Sequence, residues 1–168
     1  QMTGALVGAS LVFLFYRPHY HVTDDVDAKL ATFCTGPAIR SLPTNFLCEV
    51  LATAVLVLAV LMHAPAHIFT IDGRQAVDTI GLGSIGAIEV GLVVFAIGLS
   101  LGGTTGYAIN PARDLGPRIA HCLLPVPGKR DSDWSYAAIP VIGPLLGALL
   151  AVGVSQLLGL GSDAINGG

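Results

Sequence analysis

The sequence predicts an all-α membrane protein, a bundle of apolar helices joined by one re-entrant half-helix. Three observations carry that expectation. Hydrophobic residues make up 53% of the 168-residue chain and charged residues only 11%, with a mean hydropathy of +0.74. A soluble domain carries about 25% charged residues, so this chain has too few to clothe itself in a solvated surface. Four long apolar segments alternate with polar loops, at about 1–16, 45–62, 80–101 and 137–160. Between the last two lies a stretch that starts as a poor helix and continues, over about 110–124, as one too short to cross a bilayer.

The first segment ends at Arg17-Pro18 and falls short of the roughly 20 residues of a full span. The chain opens inside this apolar run with no basic n-region, so the expectation is a C-terminal portion of a longer protein. A polar loop follows, bearing Asp24, Asp25, Asp27, Lys29 and Arg40. The loop after the second span holds Asp72-Gly73, a turn signal. The tail, 161–168, is small and polar. Lys and Arg occur in all three connecting segments, so the positive-inside rule assigns no orientation.

Several function classes are excluded or left without support. The net charge of -3 offers no basic patch for nucleic acid. Cys34, Cys48 and Cys122 match no zinc or redox spacing, and Cys48 and Cys122 read as buried space-fillers in apolar runs. The five histidines fall mostly in loops without metal spacing. No metal, cofactor or catalytic group is expected.

The chemistry lies in 102–134. Gly102 to Gly106 reads Gly-Gly-Thr-Thr-Gly, a weak helix former. Asn110 is a favoured N-cap, and Pro111 suits the first helical position, where its missing N–H costs nothing. If the Asn110 amide oxygen caps the helix, its NH2 faces a cavity with two donors. Some 13 residues of helix reach about 20 Å, against about 30 Å of hydrocarbon. Non-helical backbone at that depth survives only where protein covers it or a wet cavity adjoins it. Such a strand offers carbonyl acceptors, while Asn110 and Arg113 offer donors, a set that suits a hydroxylated solute. A positive helix end and a guanidinium both repel cations. Glu49, near the start of the second span, costs about 2.5–3.5 kcal/mol inside a membrane. It therefore needs hydrogen-bond donors around it, unless it snorkels to the interface. Glu89 has no assigned role.

The run Gly-Tyr-Ala-Ile-Asn-Pro-Ala-Arg-Asp-Leu-Gly-Pro-Arg resembles the second NPA signature of the major intrinsic protein family, and specifically its aquaglyceroporin branch of glycerol uptake facilitators. The resemblance covers nearly the whole chain. It implies an aquaporin-like bundle, with 1–160 as a partial channel domain built from the end of helix three, helices four to six and the second half-helix. It implies a selectivity filter at Gly98, Tyr107 and Arg113. Gly98 stands where water-selective members usually carry His. Gly106, Ala108, Ile109, Asn110, Pro111 and Ala112 match the pore-lining carbonyl stretch and NPA motif. Glu49 matches a loop-supporting glutamate, and Asp114 and Pro140-Val141 are similar to the glycerol-conducting branch.

The implied activity is passive diffusion of glycerol and other small neutral solutes, water included, through a homotetramer in the cell membrane, with the lipid bilayer as its surroundings. One departure is plain: the family carries two NPA motifs and this chain has one. Other readings stand beside these. Asn110 serves as a structural cap alone, Tyr107 as core packing, and Arg113 as a charge satisfied by loop carbonyls. Asp114 complements the helix dipole and pairs with Arg118 at i+4. Gly98, Gly102 and Gly106, like Gly4/Gly8 and Gly143/Gly147, have the spacing of helix-contact glycines. Competing functions are a water-selective channel, a secondary transporter with a broken helix and a non-conducting membrane scaffold.

Overall fold

The computed structural model describes residues 1–63, 66–69, 75–80 and 83–159. The predicted Asp72-Gly73 turn and the 161–168 tail lie outside them. The helices are α1 (Met2–Phe15), α2 (Arg17–Val22), α3 (Val26–Ala31), α4 (Leu42–Leu61), α5 (Ala87–Ser100), α6 (Pro111–Leu123) and α7 (Ala138–Leu157). Strands β1 (Ala66–Phe69) and β2 (Gln75–Ile80) pair antiparallel. The bundle is helical as expected, and the small hairpin occupies what the sequence presented as a loop.

Local chemistry explains the boundaries. Pro18 sits in the first turn of α2, where a missing N–H is tolerated, so the chain bends there and starts again. Asp25 caps α3 by accepting from the N–H groups of Asp27 and Ala28 at 2.9 and 3.0 Å. The third apolar segment, expected as one span over 80–101, is broken. Ile80 ends β2, a 3-10 turn covers Gly83–Gly86, and α5 starts at Ala87. The sequence Gly81-Leu82-Gly83-Ser84-Ile85-Gly86 supplies three glycines in six residues, each costing a helix about 1 kcal/mol against Ala.

The 20-residue helices α4 and α7 each have a mean hydropathy of 2.1 over an 18-residue window and reach about 30 Å, enough to cross a bilayer. They pack on each other, α1 packs on α6, and α5 lies against α4. The α4–α7 contact depends on backbone approach: a Cβ on Gly147 would lie 2.4 Å from the Val50 carbonyl oxygen, and one on Gly143 2.8 Å from the Glu49 Cβ. In lipid there is little hydrophobic drive between helices, so close packing of small residues supplies the attraction. Gly4 and Gly8 differ, with nothing within 4 Å of either among the described residues.

The interior is unusually polar and the outside apolar. Glu49, Asp114, Arg118 and His121 are buried, while Leu14, Phe15, Leu92, Phe95, Leu99 and Leu149 are exposed. A water-soluble domain would hide such patches; a lipid-facing one presents them. Cys34 is the buried cysteine, whereas Cys122 is exposed and Cys48 intermediate, which corrects the expectation for the latter two. Cys122 lies near the end of α6, in its last turn. Burial pushes the Cys34 thiol up to about 12.

Candidate functional site

The site is built where residues 101–110 return to the middle of the bundle and α6 begins. Asn110 has extended backbone, and its side-chain oxygen accepts from the Ala112 N–H at 2.8 Å. The cap therefore forms as its local sequence dictates. Its NH2 group donates to Gln1 Oε1 at 3.1 Å, so one of the two donors expected to face a cavity has a partner. Pro111 and Asn110 are half-buried, and Ala112 is buried.

Glu49 organises the strand before the cap. It is 1% exposed, reaching from α4 into the loop. The Thr105 hydroxyl donates to its Oε1 at 2.6 Å, the Ala108 N–H to the same oxygen at 3.0 Å, and the Ile109 N–H to Oε2 at 2.9 Å. Successive backbone N–H groups around an anion form a nest, and here the anion is a side chain of the protein. A trans peptide sets its C=O opposite its N–H. Because the N–H groups of Ala108 and Ile109 both face Glu49, the carbonyls of Tyr107 and Ala108 both face away from α4.

Two neighbouring carbonyls on one side is not strand geometry, where they alternate. It takes left-handed backbone, and Tyr107 (φ 41) and Ile109 (φ 44) both adopt it, with Gly106 (φ 80) before them. Ile109 is β-branched, for which positive φ is an outlier. Each such residue costs about 1–3 kcal/mol, and the three charge-assisted bonds to Glu49 hold the conformation.

The Tyr107 ring lies across the glycines at the end of α5. A Cβ on Gly98 would sit 3.2 Å from Tyr107 Cζ. One on Gly102 would sit 2.5 Å from Tyr107 Cδ1 and 2.4 Å from the Gly98 oxygen. Gly98 thus gives up its side chain to the ring, and Gly102 is under tighter constraint still. Tyr107 remains 36% exposed. Arg113 is exposed, and among the described residues its guanidinium makes no hydrogen bond within the chain. Asp114 is fully buried, which confirms its pairing with Arg118 at 2.8 Å. Pro140 is also fully buried, inside the first turn of α7.

Outside these, sequence reasoning missed several members of the assembly. Thr105 shares Glu49. Thr35 donates both its N–H and its hydroxyl to Asp114 Oδ2, at 2.7 and 2.6 Å. Arg40 pairs with Asp133 and lies over the Tyr136 ring, 5.5 Å from its centroid. Burial raises the Asp133 carboxyl, but hydrogen bonds from Arg40 and Ser135 outweigh it and hold the group below its ordinary value of 3.8. No local pattern marks Thr35, which lies 79 residues from its partner.

A strained strand with aligned carbonyls, a capped half-helix and an exposed arginine in its first turn make up this site. Residues 1–154 match the family described as Major intrinsic protein, and the chain belongs to that family, whose members are multi-pass membrane proteins. It is 52% identical over 158 residues to the probable glycerol uptake facilitator protein of Thermotoga maritima, covering 94% of this chain and 62% of that one. It is 51% identical over 147 residues to the glycerol uptake facilitator protein of Bacillus subtilis, covering 88% and 49%. A D/L-lactic acid transporter of Lactiplantibacillus plantarum is 41% identical over 155 residues, covering 90% and 59%. The fold is similar to the X-ray structure of the aquaglyceroporin from Plasmodium falciparum, with a TM-score of 0.69 at 26% identity over 93% of this chain and 60% of that one. The chain thus spans about three-fifths or less of the length of these relatives.

Proposed function

We propose that this chain forms one wall of a channel for passive diffusion of glycerol and other small neutral solutes, water among them, across the cell membrane. The observation that carries the reading is the pair of Tyr107 and Ala108 carbonyls turned away from α4 by Glu49, together with an Arg113 guanidinium in the first turn of α6 that has no partner among the described residues. A polyol needs acceptors and donors in succession, and this edge supplies both. Asn110 contributes its remaining N–H, and Tyr107 with Gly98 sets the apolar side against which the carbon backbone of the solute slides. The positive end of α6 and Arg113 oppose cations. Pro111 and Ala112 carry the turn of the half-helix, and Gly106 gives the loop its bend.

Two features favour glycerol over water alone: the side-chain-free Gly98, and relatives named for glycerol uptake at about half identity. The relative named for lactic acid adds small undissociated hydroxy acids to the solutes worth testing. Assembly as a homotetramer in the bilayer is in keeping with the apolar outer faces of α1, α4, α5 and α7.

Stopped-flow light scattering on proteoliposomes holding the complete polypeptide tests the proposal. Glycerol influx well above that of empty liposomes is expected, unsaturated and independent of ion gradients. Arg113→Ala is expected to retain glycerol flux and admit protons or small cations. Flux driven by an ion gradient would favour the transporter reading, and water flux without glycerol flux the water-selective one.

A further inference from the structure

Arg118 is the most heavily engaged side chain among the described residues, and the channel reading gives it no part. It is completely buried, five residues beyond Arg113 on the same half-helix. All five of its N–H groups find acceptors. Nε donates to Asp114 Oδ1 at 2.8 Å, and Nη2 to Asp114 Oδ2 and the Thr35 carbonyl, both at 2.9 Å. Nη1 donates to the carbonyls of Ser132 and Asp133 at 2.7 and 3.0 Å. One planar guanidinium therefore grips two loops, 32–41 and 124–137, which the Arg40–Asp133 ion pair also joins.

The first loop is fixed on both sides of a single residue. Thr35 gives its N–H to Asp114 and its C=O to Arg118. The same residue rests on the pore strand, where a Cβ on Gly106 would lie 3.4 Å from the Thr35 Cβ. Three residues on, the Ala38 N–H donates to the Thr104 carbonyl at 3.1 Å. The loop is thus a second layer behind Thr104 and Gly106, the residue before Tyr107, and its position is set by the half-helix that carries Arg113. A cavity of about 430 Å³ opens against it, lined by Thr35, Gly36, Arg40, Arg130 and Asp133 among others.

We propose that Arg118 is a positioning residue for solute selection: with Asp114 it locks loop 32–41 against the pore strand, so the width between Tyr107 and Arg113 cannot relax to admit larger polyols. This rests on the channel reading above. Lys cannot replace the grip. It offers three donors from one point, whereas Arg spreads five over a rigid fork, so Lys can keep Asp114 but must release loop carbonyls.

The test compares wild type, Arg118→Lys and Thr35→Val as complete polypeptides in liposomes, each checked for folding by monodispersity in detergent. The first readout is the permeability ratio of a five-carbon polyol to glycerol. The second is hydrogen exchange at 32–41, 104–109 and 131–136. The expected result is a ratio raised severalfold in Arg118→Lys, with exchange at these loops about tenfold faster and α4 and α7 unchanged. Thr35→Val, which loses only the hydroxyl bond, should move both readouts in the same direction by less. An unchanged ratio in a folded variant with loosened loops overturns the proposal, and so does unchanged loop exchange. If Arg118→Lys does not fold, Thr35→Val decides alone by the same criteria. Absence of glycerol flux in wild type instead removes the channel reading itself, an outcome distinct from an unaltered ratio.

Discussion

Glu49→Gln removes a charge while preserving size, and its effect can be worked bond by bond. The Gln oxygen is best placed where Oε1 stands, since two donors, Thr105 and Ala108, converge there. The new NH2 then faces the Ile109 N–H across the former 2.9 Å contact, donor against donor. One hydrogen bond to a charge, about 1.5–3 kcal/mol, is lost, and a buried N–H is left unsatisfied at about 1–3 kcal/mol. The two surviving bonds weaken by roughly half as their acceptor becomes neutral. The total, about 4–9 kcal/mol, exceeds the roughly 1–3 kcal/mol of strain stored at each of Tyr107 and Ile109. The strand should therefore leave its left-handed conformation, and the Tyr107 and Ala108 carbonyls should lose their common direction. Glycerol permeability by stopped-flow is expected to fall at least about tenfold, that being what 1.4 kcal/mol of the change would suffice to produce, with hydrogen exchange at Ala108 and Ile109 accelerated. Wild-type permeability and wild-type exchange in a folded Glu49→Gln protein would refute the claim that this carboxylate sets the strand.

Other perturbations separate the roles of neighbouring residues. Gly98→Ala should shift the Tyr107 ring by a few tenths of an ångström and change the glycerol-to-water ratio modestly, because the clash at 3.2 Å is with a side-chain atom. Gly102→Ala should abolish conduction, because its Cβ would meet backbone at 2.4 Å; the same proteoliposome assay reads both. Gly147→Ala should cut the yield of folded protein in detergent, since the backbone of α4 at 2.4 Å cannot yield without parting the helices, and size-exclusion profiles will show it. The Arg40–Asp133 pair has a depressed carboxyl, so its contribution is complete above the ordinary value of 3.8 and disappears as pH falls through the lower folded value. Exchange at 131–136, corrected for its intrinsic pH dependence, should be flat from about pH 5 to 8 and rise only in stronger acid.

What could be read from the sequence is what neighbours in the chain decide among themselves. Asn110 caps the helix two residues ahead, Pro111 opens it, Asp114 meets Arg118 one turn on, and the apolar runs become helices. All of these depend on contacts within four or so residues, which the order of residues states outright. The half-helix, its short reach and the membrane setting follow from them. Glu49 was legible in part: an acid in an apolar run must have donors, and the choice of the re-entrant loop came from resemblance.

The tertiary structure decided which donors and which surfaces. That Thr105, Ala108 and Ile109 converge on Glu49 across 56 to 60 residues, that Thr35 completes Asp114 across 79, and that one guanidinium binds two loops all depend on how closely α4, α6 and α7 approach. That approach is set by glycines whose role is to be absent as side chains. A glycine in the sequence does not say whether it serves a neighbouring helix, as Gly147 does, an aromatic ring, as Gly98 does, or nothing within 4 Å, as with Gly4. Likewise the broken start of α5 and the hairpin before it reflect competition between a weak, glycine-rich helix and strand pairing, and hydropathy alone gives both the same score. The sequence by itself determined a membrane bundle with a capped half-helix, because those features are local. Packing decided the direction of the carbonyls and the hub at Arg118, because hydrogen bonds between distant residues exist only once the backbone has brought them together.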